Sequence, residues 1–323
     1  MPGPGRARAL ILVLGIGVWP TMPVAQEAPA SVAVGRGPEA LVSDGQYLWV
    51  ASQFSNTVSK VDPTLGRVLK TIPVGDTPVA LAYDGVKIWV ANLRSNAVTA
   101  IRASDSAVVG TFPAGEGPGG LAFDGEHIWV ANRDSGAVTK LLARSGQTLG
   151  TFDVGSRPLG LAVDGANLWV ANNLSNTVTK LRASDGATLG TYRVGDGPFG
   201  VAFDGTHIWV TNYFGNTITK LRASTGATVG TMSVGDSPAS IIVDGNVIVV
   251  ANNAGDSVTF LRPRNGADRD GGYRHPATLL ATVPVASGPF GMAVMRSAGG
   301  VSLWVASFGT DSIVMLPAPH GVF

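Results

Sequence analysis

The sequence predicts an all-β fold: a seven-bladed β-propeller of four-stranded antiparallel blades. Three observations carry this. A unit of forty residues, PLGLAVDGANLWVANNLSNTVTKLRASDGATLGTYRVGDG from Pro158, returns from Pro198 as PFGVAFDGTHIWVTNYFGNTITKLRASTGATVGTMSVGDS. Each copy holds four short strand-like runs divided by turn residues. Seven second runs can be counted along the chain, and the last copy lacks a fourth run that the N-terminal segment supplies. Periods of this size mark stacked or circular repeats. Sheets that bury both faces need a neighbour on each side, and a ring provides one while leaving only short edges.

Within the unit, the first run (160–163) closes at Asp164-Gly165. Asp-Gly between apolar runs is a hairpin signal, because Gly accepts the positive φ of a tight turn. The second run (168–171) alternates Leu168 and Val170 with Trp169 and Ala171, apolar on both sides. The third (177–181) is TVTKL, rich in β-branched residues. Ser184-Asp185-Gly186 makes the next turn, and the fourth run spans 187–194. No apolar spacing of three and four residues suggests a helical repeat.

The Asp-Gly turn recurs at Asp44, Asp84, Asp124, Asp164, Asp204 and Asp244, and the aromatic at Trp49, Trp89, Trp129, Trp169 and Trp209, with Val249 sixth. The seventh, Trp304, follows Val249 after 55 residues instead of 40. The surplus is placed mostly after Leu261, with one residue in the next strand and four between Pro289 and Trp304. Residues 262–276 therefore read as an exposed loop. The chain ends soon after a seventh third strand at 312–316. Residues 31–35, SVAVG, align with the end of a fourth strand and are expected to complete the last blade, sparing an open edge.

Residues 1–25 have the pattern of a secretory signal peptide: Arg6 and Arg8, then the apolar stretch ALILVLGIGVW, then small residues near Ala25. Eleven apolar residues are too few to span a bilayer. Residues 26–323 are expected to form one propeller domain, periplasmic or secreted, with no membrane span in the mature chain, and monomeric. Hydrophobic content of 45% with only 14% charge suits a fold of much buried sheet. Removing Arg6 and Arg8 from the 23 bases leaves 21 against 22 acids, so the domain lacks the basic excess of a dedicated nucleic-acid binder. No cysteine is present, which excludes disulfides, thiolate metal sites and cysteine nucleophiles.

The motif WVAN at 89–92, 129–132 and 169–172, WVTN at 209–212, and the recurring VGxxPxxLAxDG segment resemble the repeat of the YVTN-family β-propellers, YncE-like exported proteins among them. The resemblance covers roughly residues 31–317. Tryptophan replaces the family's tyrosine, and Ser52 and Ser307 replace the asparagine. It implies the propeller fold, but related propellers include binding proteins, surface proteins and a few enzymes. The chain also resembles virginiamycin B lyase in repeat organisation, but the His–Glu set that such chemistry uses beside a metal is missing from the corresponding loops.

In a propeller the loops between strands two and three share a face with the crossings between blades. The variable pairs in those loops are Gln53-Phe54, Leu93-Arg94, Arg133-Asp134, Asn173-Leu174, Tyr213-Phe214, Asn253-Ala254 and Phe308-Gly309. Repeated residues are read as scaffold and variable ones as the places where copies specialise. The candidate ligand-binding residues are therefore Phe54, Arg94, Arg133, Asp134, Asn173, Tyr213, Phe214, Asn253 and Phe308. The crossings add a rim of mixed charge: Arg36, Asp76, Glu116, Arg157, Asp196 and Asp236. The Asp-Gly acids are read as turn chemistry on the opposite face, and the tryptophans as packing between blades. His127 and His207 share a register two blades apart, too separated to hold one metal. There is no HExxH, phosphate loop, dinucleotide fingerprint or GxSxG elbow.

No catalytic set, metal site or cofactor is expected. The leading expectation is an exported, non-catalytic binding or interaction module for an unknown small molecule, protein or envelope component. One alternative is a metal-dependent lyase or lactonase-like hydrolase. Another is DNA or cell-envelope binding as in YncE-like proteins, to which Arg262, Arg264, Arg269 and Arg274 would contribute.

Overall fold

The computed structural model describes residues 31–264, 276–297 and 300–316. The leader, most of the inserted loop (with Arg269, Arg274 and His275) and the tail with His320 lie outside the described residues.

Among the described residues, twenty-eight strands form seven four-stranded antiparallel sheets. Blade 4 is typical, with strands Pro158–Val163, Asn167–Asn172, Thr177–Arg182 and Thr188–Arg193 running outward from the central channel. The seventh blade takes three strands from the C-terminal part, Pro289–Ser297, Gly300–Ser307 and Ser312–Leu316, and its outermost from Ser31–Ala33. Ser31 lies opposite Val314, Val32 opposite Ile313 and Ala33 opposite Ser312. The N-terminal segment thus closes the ring as its sequence alignment predicts. The four extra residues after Pro289 lengthen the hairpin between the first two strands of blade 7.

Alternation along the second strand explains the packing. Trp169, Ala171 and Val178 face blade 5 and meet Val201, Ile208, Val210 and Leu221. Leu168, Val170 and Leu181 face blade 3 and meet Trp129 and Val138. Seven such clusters occur, one in each gap between blades. Each large side chain removed from water contributes roughly 1.5–3 kcal/mol. Burial on both faces holds for the three inner strands only. The fourth strand of blade 4 runs exposed, exposed, half-buried, exposed, half-buried, exposed, since nothing packs outside it.

The repeated polar residues are consumed by the scaffold. Asp164 accepts the backbone N–H groups of Ala166 and Asn167 with Oδ1 and the indole N–H of Trp169 with Oδ2 at 2.8 Å. The same pair forms at Trp49–Asp44, Trp89–Asp84, Trp129–Asp124 and Trp209–Asp204. Blade 6 has Val249 instead of Trp, and Asp244 pairs with Arg296 of blade 7 instead. Blade 7 has the tryptophan without the acid, and the indole N–H of Trp304 has no partner among the described residues.

The buried strand-three lysines act between blades. Lys60, Lys140, Lys180 and Lys220 lie over the tryptophan ring of their own blade. Each donates to a carbonyl of the next blade: Ala103, Ala183, Ala223 and Arg264. Blade 2 has Ala100 at that position. There Lys87, from the second strand, covers Trp89 and donates to Ala143. The asparagine ending WVAN is buried too: Asn172 donates to Thr179 Oγ1 at 2.8 Å and accepts the N–H of Gly155 at 3.1 Å.

Candidate functional site: the upper mouth of the channel

Each loop between strands two and three is tied to the crossing that precedes its blade. Gln53 and Phe54 donate backbone N–H groups to Gly37 and Arg36, and Tyr213 and Phe214 to Gly197 and Asp196. The ties recur in every blade, so both loop types share one face, called upper here. The nine sequence-predicted candidates all lie there, but in two roles. The first residue of the variable pair reaches an innermost strand in blades 4 to 7: Asn173 and Asn253 bond to Pro198 and Pro289, and Tyr213 and Phe308 meet Phe199 and Phe290. In blades 1, 3 and 5 the second packs over a crossing glycine: a Cβ added at Gly37 would meet Phe54 at 2.7 Å, one at Gly117 would meet Asp134 at 2.3 Å, and one at Gly197 would meet Phe214 at 2.3 Å.

A second tier lies beneath. Every first strand begins at a proline followed by a register shift against strand two, between Pro38 and Ala40 in blade 1, Pro198 and Val201 in blade 5, and Pro289 and Met292 in blade 7. A bulge of this kind re-aims the side chain it contains. The residue after the proline takes six identities in the seven blades: Glu39, Val79, Gly119, Leu159, Phe199, Ala239 and Phe290. The residue after that is Gly, Ala or Ser because the neighbouring strand passes close. A Cβ at Gly160 would sit 2.1 Å from the carbonyl oxygen of Phe199.

The two tiers form an aromatic arc on one side. Tyr213 and Phe199 have ring centroids 5.6 Å apart, Phe199 and Phe290 5.7 Å, Phe290 and Phe308 6.4 Å, and Phe308 and Phe54 5.5 Å. Blade 6 contributes the fully buried Ala239, which lets the rings of blades 5 and 7 meet. Phe54 and Phe214 are exposed at 59% and 58%, too open for core packing to account for them. The other side is charged. Arg133 donates through Nε to Asp134 at 2.9 Å. Gln53, Phe54, Thr77, Leu93, Arg94, Asn96, Arg133 and Asp134 line a cleft of about 400 Å³ there. A neighbouring cleft of about 500 Å³ runs from Arg133 and Asp134 to Arg157 and Leu174.

Two candidates are partly committed to structure. Asn173 is buried and donates to the carbonyl of Pro198 at 3.2 Å. Asn253 donates to the carbonyl of Pro289 at 3.4 Å and accepts from Tyr213 Oη at 3.2 Å. The candidates thus form two groups, Phe54, Tyr213, Phe214 and Phe308 in the aromatic arc, and Arg94, Arg133 and Asp134 in the cleft.

Glu39, Phe199 and Phe290 were not among the sequence-predicted residues. Their signal was available: one position of the otherwise repetitive PxxLAxDG segment takes six identities across the seven copies. Glu39 is the acid of that inner tier. Burial in the ring pushes its carboxyl up to about 8, although Arg133 pulls the other way. Its side chain still opens partly to the lumen. Among the described residues no hydrogen bond satisfies it.

On the lower face the described histidines contact the turn acids of the scaffold. His127 contacts Asp124 at 3.2 Å and His207 lies 3.5 Å from Asp204. Burial, then the charge of Lys220, lowers the affinity of His207 for a proton. Among the described residues no three His, Cys, Asp or Glu side chains converge in a manner suited to a metal ion. No described helix is long and apolar enough to cross a membrane.

No family model matches the chain, and no curated protein sequence matches it. Solved structures do. A chain of the hydrazine synthase of Kuenenia stuttgartiensis superposes with a TM-score of 0.75 at 18% identity, covering 95% of this chain and 100% of that one. A chain of a mitotic checkpoint complex gives 0.76 at 18% identity, covering 97% and 99%. The WD40 repeats of RRP9 give 0.74 at 14% identity, covering 90% and 99%. At these identities the likeness is one of fold.

Proposed function

We propose that this chain is an exported, non-catalytic binding module that takes its ligand or partner at the upper mouth of the ring. One observation carries the reading: the repeated polar side chains are spent on ties within and between blades, whereas the non-repeating ones gather in two tiers around one opening. A concave site with apolar walls and a few polar groups is what small-molecule and peptide recognition uses. The structurally similar WD40 repeats and the chain from a checkpoint complex support an interaction role by analogy of fold. The rim mixes Arg36 and Arg157 with Asp76, Glu116, Asp196 and Asp236, which favours a polar or amphipathic partner over a polyanion. Membership of the YVTN family belongs to this proposal and rests on the WVAN and VGxxP residues. Export rests on residues 1–25, and N-terminal sequencing of protein recovered from the periplasm or medium tests it.

The test of the binding reading is a thermal-shift screen of small molecules and peptides on wild type, Phe199→Ala, Arg133→Ala and a lower-face control, Gln46→Ala. Stabilisation lost in the mouth variants and kept in the control is expected. Stabilisation indifferent to the mouth residues overturns it.

A second reading has one observation in its favour. A carboxyl held near 8 is suited to proton transfer at neutral pH. Turnover of any mouth ligand, abolished by Glu39→Gln with binding retained, would make the protein an enzyme.

A further inference from the structure

We propose that the channel mouth is a site for an organic ammonium ion, with the Glu39 carboxylate matching its charge and the rings of Phe199, Tyr213, Phe290 and Phe308 enclosing its alkyl groups. This rests on reading the upper mouth as the recognition surface.

The argument begins with adjacency. Glu39 and Phe290 occupy the same register on neighbouring inner strands. A Cβ added at Gly291, the residue after Phe290, would lie 2.7 Å from the carbonyl oxygen of Glu39. Phe290 is in ring contact with Phe199 on one side and Phe308 on the other. A residue whose carboxyl has no hydrogen-bond partner among the described residues thus stands on the strand next to Phe290, one end of an aromatic wall contributed by blades 5 and 7. Ring faces attract cations, most strongly when water is displaced, and aromatic enclosures are the recurrent way of holding alkylated ammonium groups. A carboxylate confers the charge selectivity that rings alone lack.

The charged surroundings leave this acid available. Arg133 of blade 3 acts on Glu39 from a distance and is itself joined to Asp134 at 2.9 Å. The inner strands flanking Glu39 present Val79 and Phe290 at the same level, and the loop above presents Gln53, none of them charged. An ammonium ion would supply the positive partner that the ring does not. A guest anion would meet Glu39 unfavourably, and the arginines it could reach, Arg36, Arg94, Arg133 and Arg157, lie on the outer rim among acids.

Protonation adds a signature. With its carboxyl near 8 in the empty site, Glu39 must release a proton to receive a cation below that pH. Affinity is then expected to rise by about tenfold per pH unit up to roughly 8 and to level off above.

The experiment titrates the purified protein with choline and with its uncharged carbon isostere, 3,3-dimethylbutan-1-ol, following both by calorimetry and ligand-observed NMR at pH 6.5 and 8.5. Wild type is expected to bind choline at millimolar concentrations or below, more tightly at pH 8.5, with proton release at pH 6.5. Glu39→Gln is expected to lose at least tenfold at pH 8.5, and Phe290→Leu, which keeps an apolar side chain in place, severalfold. Equal binding by Glu39→Gln, equal binding of the alcohol, or no binding of choline overturns the proposal. If choline fails while another ligand's stabilisation is abolished by Phe199→Ala, the mouth remains the recognition surface and only the ammonium assignment falls.

Discussion

The backbone N–H of Gly37 donates to Oδ1 of Asp311 at 2.8 Å, joining residues 274 positions apart. The same bond ties ordinary neighbours: Thr77 to Asn56, Gly117 to Asn96, Gly197 to Asn176 and Ser237 to Asn216. All of these acceptors adopt the left-handed conformation, Asp311 at φ 51° and Asn96 likewise. Asn and Asp tolerate that region better than other side chains do. The ring therefore closes with the device that joins every other pair of blades for which it is seen.

Closure can be tested at two strengths. Asp311→Gly keeps the left-handed backbone and removes the acceptor, so it is expected to cost about 1 kcal/mol. Asp311→Asn should be near neutral. Deleting residues 26–35 removes the strand paired to Ser312–Leu316 and should lower the melting temperature much further. Thermal unfolding followed by circular dichroism separates the three. An unchanged midpoint in the deletion would contradict closure.

The indole–carboxylate pair predicts an acid-sensitive element. Burial pushes the Asp124 carboxyl up, but the N–H of Trp129 and the backbone N–H groups of Glu126 and His127 together hold it below its ordinary value. Because the folded-state value is depressed, this stabilisation is present above the unfolded-state value and is lost as pH falls through the folded one. Asp124→Ala should destabilise by about 1–3 kcal/mol at neutral pH by orphaning the indole. Its deficit relative to wild type should shrink in acid. Chemical denaturation between pH 2 and 7 measures both.

Lys87 replaces in blade 2 the lysine that Ala100 lacks. Lys87→Met should lower stability by removing the donor to Ala143 and the charge over Trp89, by about 1–2 kcal/mol. Ala100→Lys in that background should recover most of it, since Ala100 lies opposite Trp89 just as Lys180 lies opposite Trp169. A double-mutant cycle by urea denaturation reads the compensation. Additive losses would refute it.

Glu39 predicts the opposite pH trend. Its folded-state value is raised from 4.5 to about 8, so the folded protein holds a proton that the unfolded chain has released. Stability is unaffected below 4.5 and declines as pH rises toward 8. Glu39→Gln should match wild type in acid and exceed it above pH 8. The shift sets an upper bound of about 5 kcal/mol, which opening to the lumen reduces. Melting temperatures across pH 4–9 decide the sign.

The strand order, the count of seven and the N-terminal closure were legible because they depend on local pattern repeated at a fixed interval. Two-residue alternation fixes which side of a strand is apolar, and Asp-Gly fixes the hairpins. The upper-face loops were legible for the same reason, as variable pairs inside a constant frame. Glu39, Phe199 and Phe290 were passed over because they sit one residue after a proline, inside a strand whose other positions largely repeat from blade to blade. Only the bulge there turns them toward the channel.

The forty-residue sequence pattern by itself determined the blade, since the contacts that define it lie between residues a few positions apart. Which side chains of different blades face one another across the channel was decided by ring closure alone. It brings Glu39 beside Phe290, separated by most of a turn of the chain, and sets Phe199 against Phe290 above Ala239, two blades apart. No local propensity encodes such a meeting; it exists only because seven wedges of fixed angle must return to their starting point.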